Sequence, residues 1–147
     1  MESRYNQARM KQTAEGLVYI GTYSDAIYCC CLPGVPRIAA RLPKPSFLAV
    51  HPNRQYLYAA SEQAEGLVSA WRIESTSGDL SFVNQTTSGG AGPCHIALDA
   101  TGAIAVACNY ADGSISAIRI GPDGSLGEML ALYRNSGAGP RQPRQSA

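Results

Sequence analysis

The sequence predicts an all-β fold, a β-propeller made of four-stranded antiparallel blades. Its strongest support is a repeat, because the equivalent prolines Pro45, Pro93 and Pro140 are 48 and 47 residues apart. Each unit contains four short strand-like runs, and the 15 glycines and 9 prolines interrupt the chain too often for long helices. This period with four strands per unit is typical of a propeller blade. The alternative, an antiparallel sandwich, is disfavoured because it requires no such repeat.

The first part of the chain predicts a tail and an incomplete first blade. Residues 1–15 lie outside the repeat, and we expect a flexible or weakly helical tail there. Within residues 16–44, the stretch 17–23 resembles a blade's second strand and 26–32 resembles its third. No first strand precedes them, as expected for a ring closed by strands from both chain ends. The following CCCLPGVPRIAARLPK is a poor match to an outer strand.

Two complete blades are predicted next, a second blade at residues 45–92 and a third at 93–139. Residues 48–50 align with 96–98, 56–59 with 104–107, and 69–73 with 116–120. The third blade is expected to have strands at 94–99, 103–110, 114–120 and 126–133. Runs such as AIAVAC are apolar on both faces, which predicts sheets covered on both sides. Asp-Gly pairs in YADGS and GPDGS predict tight turns. Residues 140–147 would begin a further blade, so we expect the chain to be truncated.

Charge and composition exclude several functional classes. The net charge is +1, from 12 basic and 11 acidic residues, so we expect no nucleic-acid or anionic-membrane partner. No apolar run approaches the roughly 18 residues of a membrane span. The N-terminus lacks the apolar core of a secretory signal. We therefore expect a cytoplasmic protein.

The five cysteines are expected to be reduced thiols without a metal or a disulfide. They lie at positions 29, 30, 31, 94 and 108 with no C-x-x-C spacing. The three adjacent ones alternate between strand faces and cannot easily bind one ion. Cys94 and Cys108 fall on neighbouring strands but have no adjacent base in the sequence, so neither is a convincing nucleophile.

The chain resembles the lactonase family of seven-bladed β-propellers over about residues 16–147. The resemblance rests on PSFLAVHPNRQYLYAASE, GPCHIALDATGAIAVACNYADGSISAIRI and GAGPRQPRQSA. That family includes propeller-type 6-phosphogluconolactonases and a fungal carboxy-muconate cyclase. Its Arg-Gln pair, matched by Arg144 and Gln145, precedes a Pro-His-x-His stretch that would begin after Ala147. Seven blades need about 330 residues at this period. One departure is Arg54, which replaces the turn glycine kept as Gly102.

The resemblance implies lactone hydrolysis, which requires a base for water, donors for the oxyanion and cations for a phosphate. It requires no metal or cofactor. His95, near the start of an inner strand, is the candidate catalytic base; the alternative is a histidine hydrogen-bonded between blades. Arg144 and Gln145 are candidate substrate-binding residues, since arginine suits phosphate or carboxylate. Asn109 either contacts the substrate or serves the following Asp-Gly turn.

Several other polar residues are interpreted as structural. Phe47 occupies the position equivalent to His95 one unit earlier. His51, in VHPNRQ, is interpreted as a turn residue. Glu62 and Asp112 are interpreted as turn and surface carboxylates. Trp71 is expected to pack between blades.

Three functions remain open from the sequence. The leading one is hydrolysis of a phosphorylated sugar lactone, 6-phosphogluconolactone, to 6-phosphogluconate in the pentose phosphate pathway of glucose metabolism. The second is a cyclase acting on muconate-type lactones. The third is a non-enzymatic propeller that serves as a binding scaffold. We expect the 147-residue chain alone to be inactive, because its sheet edges and blade faces are uncovered.

Overall fold

The structure, a computed structural model, describes residues 16–137, and these form three antiparallel sheets without a helix. The predicted all-β propeller fold is thereby confirmed. The strands are β1 (Leu17–Ile20), β2 (Ala26–Cys31), β3 (Arg37–Arg41), β4 (Pro45–Val50), β5 (Tyr56–Ser61), β6 (Leu67–Ile73), β7 (Leu80–Thr87), β8 (Pro93–Leu98), β9 (Ile104–Asn109), β10 (Ser114–Ile120) and β11 (Leu126–Arg134). The predicted tail at 1–15 and the predicted next blade at 140–147 lie outside the described residues.

Each sheet follows the chain order, so that consecutive strands are neighbours. The first blade contains β1-β2-β3, the second β4-β5-β6-β7, and the third β8-β9-β10-β11. The four predicted strands of the third blade agree with β8–β11 to within one residue at each end. Within residues 16–137, no helix is long and apolar enough to cross a bilayer.

The outer strand of the first blade corrects the sequence interpretation. The stretch considered a poor match contains β3, which pairs with β2 through Ala26↔Arg41 and Ile27↔Ala40. Pro33 and Pro36 lie in the connection before β3 and therefore remove no ladder hydrogen bond. Ala40 is buried against the second blade, and this packing stabilises a strand that its local sequence does not predict.

The hydrophobic core lies between the blades. Every residue of β5 is buried, with alternate side chains entering two different clusters. Tyr58 and Ala60 pack against the third blade, while Leu57 and Ala59 pack against the first. Trp71 is in the cluster between the first two blades, as predicted. Because other blades cover both faces of this sheet, the side chains on both faces of β5 are buried. This explains why apolar and polar residues do not alternate in YLYAAS.

A tyrosine–glycine hydrogen bond repeats between successive blades. The Tyr19 hydroxyl donates to the Gly78 carbonyl at 2.8 Å, and the Tyr58 hydroxyl donates to the Gly124 carbonyl at 2.9 Å. Both tyrosines occupy the same position in the second strand of a blade, and both glycines lie in the turn before the next blade's outer strand. In the third blade the equivalent residue is Val106, which cannot donate this bond.

The inner side of the molecule is formed by β4 and β8. These strands are the first of their sheets, and they approach each other more closely than the outer strands β7 and β11 do. Blades that converge at their first strands enclose a central channel, and the ends of such strands are where ligand sites of propellers gather.

Candidate functional site

Three blades contribute to one end of the inner strands. Because β4 and β5 are antiparallel, the start of β4 lies beside the end of β5, with Pro45 opposite Ser61. The start of β8 likewise lies beside the end of β9, with Pro93 opposite Asn109. The β1–β2 turn joins them, since the Thr22 N–H donates to the Pro45 carbonyl at 2.9 Å. We call this end the rim; its polar residues are Tyr23, Lys44, Ser46, Glu62, Cys94, His95 and Asn109.

Both inner strands begin with a β-bulge that determines which way the next side chain faces. Pro93 and His95 pair with the adjacent residues Asn109 and Cys108, so Cys94 is the extra residue. A one-residue offset moves a side chain to the opposite face of its sheet. The bulge therefore places His95 on the face opposite to Pro93, whereas a regular strand would put both on one face. Ser46 is the equivalent bulged residue in β4.

His95 is exposed, and its ring nitrogens have no hydrogen-bond partner among residues 16–137. Its ring lies 4.3 Å from that of Phe47, measured between centroids, at an interplanar angle of 46°. His95 pairs across the sheet with Cys108, which pairs with Ile115, and the His95 ring itself contacts Phe47 of the second blade's inner strand. A neutral imidazole without a protein partner offers one lone pair and one donor to a ligand.

Unpartnered buried polar atoms concentrate at the rim. Among residues 16–137, four buried side-chain atoms lack a hydrogen-bond partner, and three belong to the rim: Ser46 Oγ, Glu62 Oε2 and Asn109 Oδ1. The fourth is Ser116 Oγ, in β10. A buried group left unpaired costs about 1–3 kcal/mol, so a native fold tolerates few of them. Their clustering distinguishes the rim from the rest of the described chain.

Glu62 was interpreted from the sequence as a turn carboxylate, yet it lies at the centre of the rim electrostatics. Its charge and a hydrogen bond to its side chain raise the pKa of Tyr23. Burial, and then the charge of Glu62, raise the pKa of the Cys94 thiol. The charge of Glu62 therefore affects the pKa of a residue in the first blade's turn and of one in the third blade's bulge. The sequence signal was its position, equivalent to Tyr23 in the preceding blade and Tyr110 in the following one.

Asn109 is only 3% exposed, and its side-chain amide is already engaged. Nδ2 donates to the Ser88 carbonyl at 3.0 Å and to Ser114 Oγ at 2.9 Å. Ser114 Oγ in turn donates to Asp112 Oδ1 at 2.7 Å. Burial raises the pKa of Asp112, but the hydrogen bonds from Ser114 and Arg134 outweigh this and hold it below its usual value. These contacts favour the structural alternative, in which Asn109 holds the β9–β10 turn.

His51 lies at the opposite end of the sheets from the rim. The Asn53 N–H donates to His51 Nδ1 at 3.1 Å, so the proton of the neutral ring is on Nε2. Nε2 then donates to the Gly102 carbonyl at 3.1 Å. This ring connects equivalent turns of the second and third blades, in keeping with the interpretation of His51 as a turn residue.

The thiols form no nucleophilic or metal-binding constellation in the part of the chain that the structure describes. All five cysteines are free thiols, and the Cys94 thiol donates to the Cys108 carbonyl at 3.7 Å. A raised thiol pKa disfavours the nucleophilic thiolate. No group of three or more His, Cys, Asp or Glu converges within residues 16–137. Arg144 and Gln145 lie outside the described residues.

The sequence profile of the family described as Lactonase, 7-bladed beta-propeller matches residues 18–147. The chain belongs to this lactonase family. Two curated relatives are similar to this lactonase-family chain: a 6-phosphogluconolactonase of Bacillus subtilis, 30% identical over 138 residues, and one of Formosa agariphila, 34% identical over 97 residues. These alignments cover 86% and 64% of the chain but only 40% and 28% of the relatives, so the chain spans less than half of their length.

A solved structure supports the same family. A crystal structure of a Bacteroides uniformis protein is 30% identical and has a TM-score of 0.79, over 86% of this chain and 40% of that one. The lactonase-family match agrees with the resemblance found from the residue motifs. It begins within β1, includes β2–β11 and extends to the segment that contains Arg144.

Proposed function

We propose that the protein hydrolyses a sugar-acid lactone, with 6-phosphogluconolactone as its substrate and 6-phosphogluconate as its product. The observation that carries this proposal is the similarity to the 6-phosphogluconolactonase of Bacillus subtilis across 138 residues. The rim supports it, because an exposed imidazole, a carboxylate and a cation lie at one end of the inner strands.

The reaction adds one water molecule across the lactone ester. The water oxygen bonds to the carbonyl carbon, the bond from that carbon to the ring oxygen breaks, and the ring oxygen takes up a proton. No electrons are transferred, so the chemistry requires no redox cofactor. A base that accepts the proton of water contributes about 10²–10⁴-fold to such a reaction.

His95 is the proposed base. The nitrogens of its exposed ring have no hydrogen-bond partner among the described residues, and the bulge at Cys94 turns it away from the face that Pro93 occupies. Arg144 and Gln145, predicted from the family resemblance, are proposed to bind the substrate. For Asn109 we propose an indirect role, because its amide holds the neighbouring turn.

The proposed reaction belongs to the pentose phosphate pathway and to the cytoplasm. Five free thiols suit a reducing compartment, where disulfides are rare. The substrate would be a phosphorylated small molecule, with no nucleic acid or membrane as partner, in keeping with the net charge of +1.

The test compares lactone hydrolysis by the full-length gene product and its His95→Gln variant, after the spontaneous rate has been subtracted. Glutamine keeps the size and hydrogen bonding of the ring but cannot act as a base. We expect kcat to fall about 100-fold or more. His51→Gln is the matched control, since it alters the other described histidine at the opposite end, and it should retain kcat.

Two outcomes would count against the proposal at different levels. A wild-type protein that does not accelerate 6-phosphogluconolactone hydrolysis, but does turn over a muconate-type lactone, would replace the proposed substrate. A His95→Gln variant with wild-type kcat would leave the reaction in place and remove His95 from it.

A further inference from the structure

Lys44 is a cation at the rim that forms no ion pair with any of residues 16–137. The other cations of residues 16–137 are mostly engaged: Arg37 with Asp79, Arg41 with Asp25, Arg119 with Glu128, Arg134 with Asp112, and Arg72 over the Tyr56 ring at 5.1 Å. Within that range, only Lys44 and Arg54 have neither an ion pair nor a ring contact. Arg54 lies in the β4–β5 turn, at the end away from the rim.

The backbone of Lys44 is held in a left-handed conformation with φ of 46°. This conformation costs a non-glycine residue roughly 1–2 kcal/mol. Three hydrogen bonds maintain it: the Lys44 N–H donates to the Ser24 carbonyl at 2.7 Å, and the Lys44 carbonyl accepts from Ser46 at 2.8 Å and from Glu62 at 2.9 Å. Two blades therefore fix the Lys44 main chain just before inner strand β4. Strained backbone conformations that the surrounding structure maintains are concentrated at functional positions.

The Glu62 carboxylate does not pair with the charge of Lys44. Glu62 is bonded to Lys44 through the main chain, yet no ion pair joins their side chains. The charge of the Glu62 carboxylate instead raises the pKa of Tyr23 and, after burial, that of the Cys94 thiol. An exposed cation at the mouth of a channel attracts anions and raises their local concentration.

We propose that Lys44 binds the phosphate group of the substrate and so determines the preference for a phosphorylated lactone. This inference rests on the proposed lactonase function and names a specificity residue for it. An ammonium binds a phosphate as a point charge with rotatable donors, and it needs no fixed planar geometry. Because the main chain of Lys44 is held in place, its ammonium group reaches only a limited region of the rim.

The experiment measures kcat and KM of the full-length protein for two lactones that differ only in the phosphate, 6-phosphogluconolactone and glucono-δ-lactone. Lys44→Gln should raise KM for the phosphorylated lactone about tenfold and leave KM for the other unchanged, since it removes binding of the phosphate. Lys44→Arg keeps the charge and should restore the low KM. Arg54→Gln removes the other unpaired cation and should change neither KM.

The proposal is overturned by a Lys44→Gln variant whose KM is unchanged, or is raised equally for both lactones. Thermal unfolding of each variant separates loss of binding from loss of folding. Should the wild type hydrolyse neither lactone, the proposed function fails, and calorimetric titration with 6-phosphogluconate then decides the binding role of Lys44. The proposal is supported if the wild type binds 6-phosphogluconate and Lys44→Gln does not. It is overturned if the two proteins bind with equal affinity or if neither binds.

Discussion

Arg54 and Gly102 occupy the same turn position in successive blades, and both have positive φ, 61° and 76°. Glycine adopts this conformation without the roughly 1–2 kcal/mol penalty that a side chain imposes. We predict that Arg54→Gly stabilises the protein by about 0.5–1 kcal/mol, once the greater entropy of glycine in the unfolded chain is included. Urea unfolding measures the change.

Gly102→Ala is the opposite substitution and should destabilise the protein. A Cβ there would lie 2.1 Å from His51 Nε2, so the ring must move and lose its bond to the Gly102 carbonyl. If Arg54→Gly lowered the free energy of unfolding by as much as Gly102→Ala does, the left-handed backbone at Arg54 would not be what limits stability at this turn.

Tyr58 makes the stability of the protein sensitive to alkaline pH. Burial, with smaller contributions from Tyr56 and Asp123, raises the pKa of Tyr58 to about 12, from an ordinary value of 10.0. The unfolded chain therefore loses this proton at lower pH than the folded one does. The stabilising contribution is complete below pH 10 and is lost as pH rises from 10 to 12. Guanidinium unfolding at pH 8 and pH 11 should show the decrease.

The Tyr58→Phe variant separates this effect from general alkaline denaturation. At pH 8 it should be about 1 kcal/mol less stable, because the hydroxyl no longer donates to the Gly124 carbonyl. Its stability should then fall less steeply between pH 10 and 12 than that of the wild type. Equal slopes would assign the alkaline loss to other groups.

Neighbouring blades are joined at their outer strands by a side chain that mimics a strand partner. Asn84 in β7 donates through Nδ2 to the Leu126 carbonyl at 2.7 Å, and its Oδ1 accepts from the Leu126 N–H at 2.9 Å. Leu126 is buried, so Asn84→Ala leaves two backbone groups without partners. We predict a loss of about 2–4 kcal/mol in the free energy of unfolding.

Asn135→Ala is the matched control for that prediction. Its Nδ2 donates to the Gly113 carbonyl at 2.9 Å at an exposed position, where water replaces the bond. We expect a change below about 0.5 kcal/mol. If the two variants lost similar amounts of unfolding free energy, the two hydrogen bonds between Asn84 and Leu126 would be no stronger than one exposed hydrogen bond.

At the scale of the whole molecule, the third blade has an apolar face turned away from the second. Ile115 and Tyr133 pair directly across β10 and β11 and are 40% and 63% exposed. Val106, in the position of the tyrosine that bonds to the next blade in the other two sheets, lies on the same face. The family has seven blades, and in a propeller such faces are covered by neighbours.

We therefore predict that the 147-residue chain, expressed alone, associates with increasing concentration and lacks lactonase turnover. Exposed apolar patches and sheet edges drive the association, and one wall of a channel does not enclose a substrate. Sedimentation velocity across a concentration series and a lactonase assay test both parts. Ile115→Lys should reduce the association. A monomeric, active 147-residue chain would contradict the prediction.

The sequence by itself determined the propeller, because its evidence is local and repeated. Asp-Gly turns and apolar runs place β8–β11 to within one residue, and the two-sided apolar character of β5 follows from burial on both faces. His95 was predicted as the base because it lies at the start of an inner strand, and the structure places it there, exposed. β3 was missed, since it depends on pairing with β2 and on burial of Ala40 against another blade.

Only the tertiary structure decided the contacts of the other rim residues. Lys44 takes its left-handed backbone from contacts with Ser24 and Glu62, which are distant in the sequence. The amide of Asn109 donates to the Ser88 carbonyl in the β7–β8 connection, a contact that the local sequence does not reveal. Local sequence encodes strand and turn propensity. The partner of a polar side chain depends on which strand ends meet, and that is determined by how the blades pack.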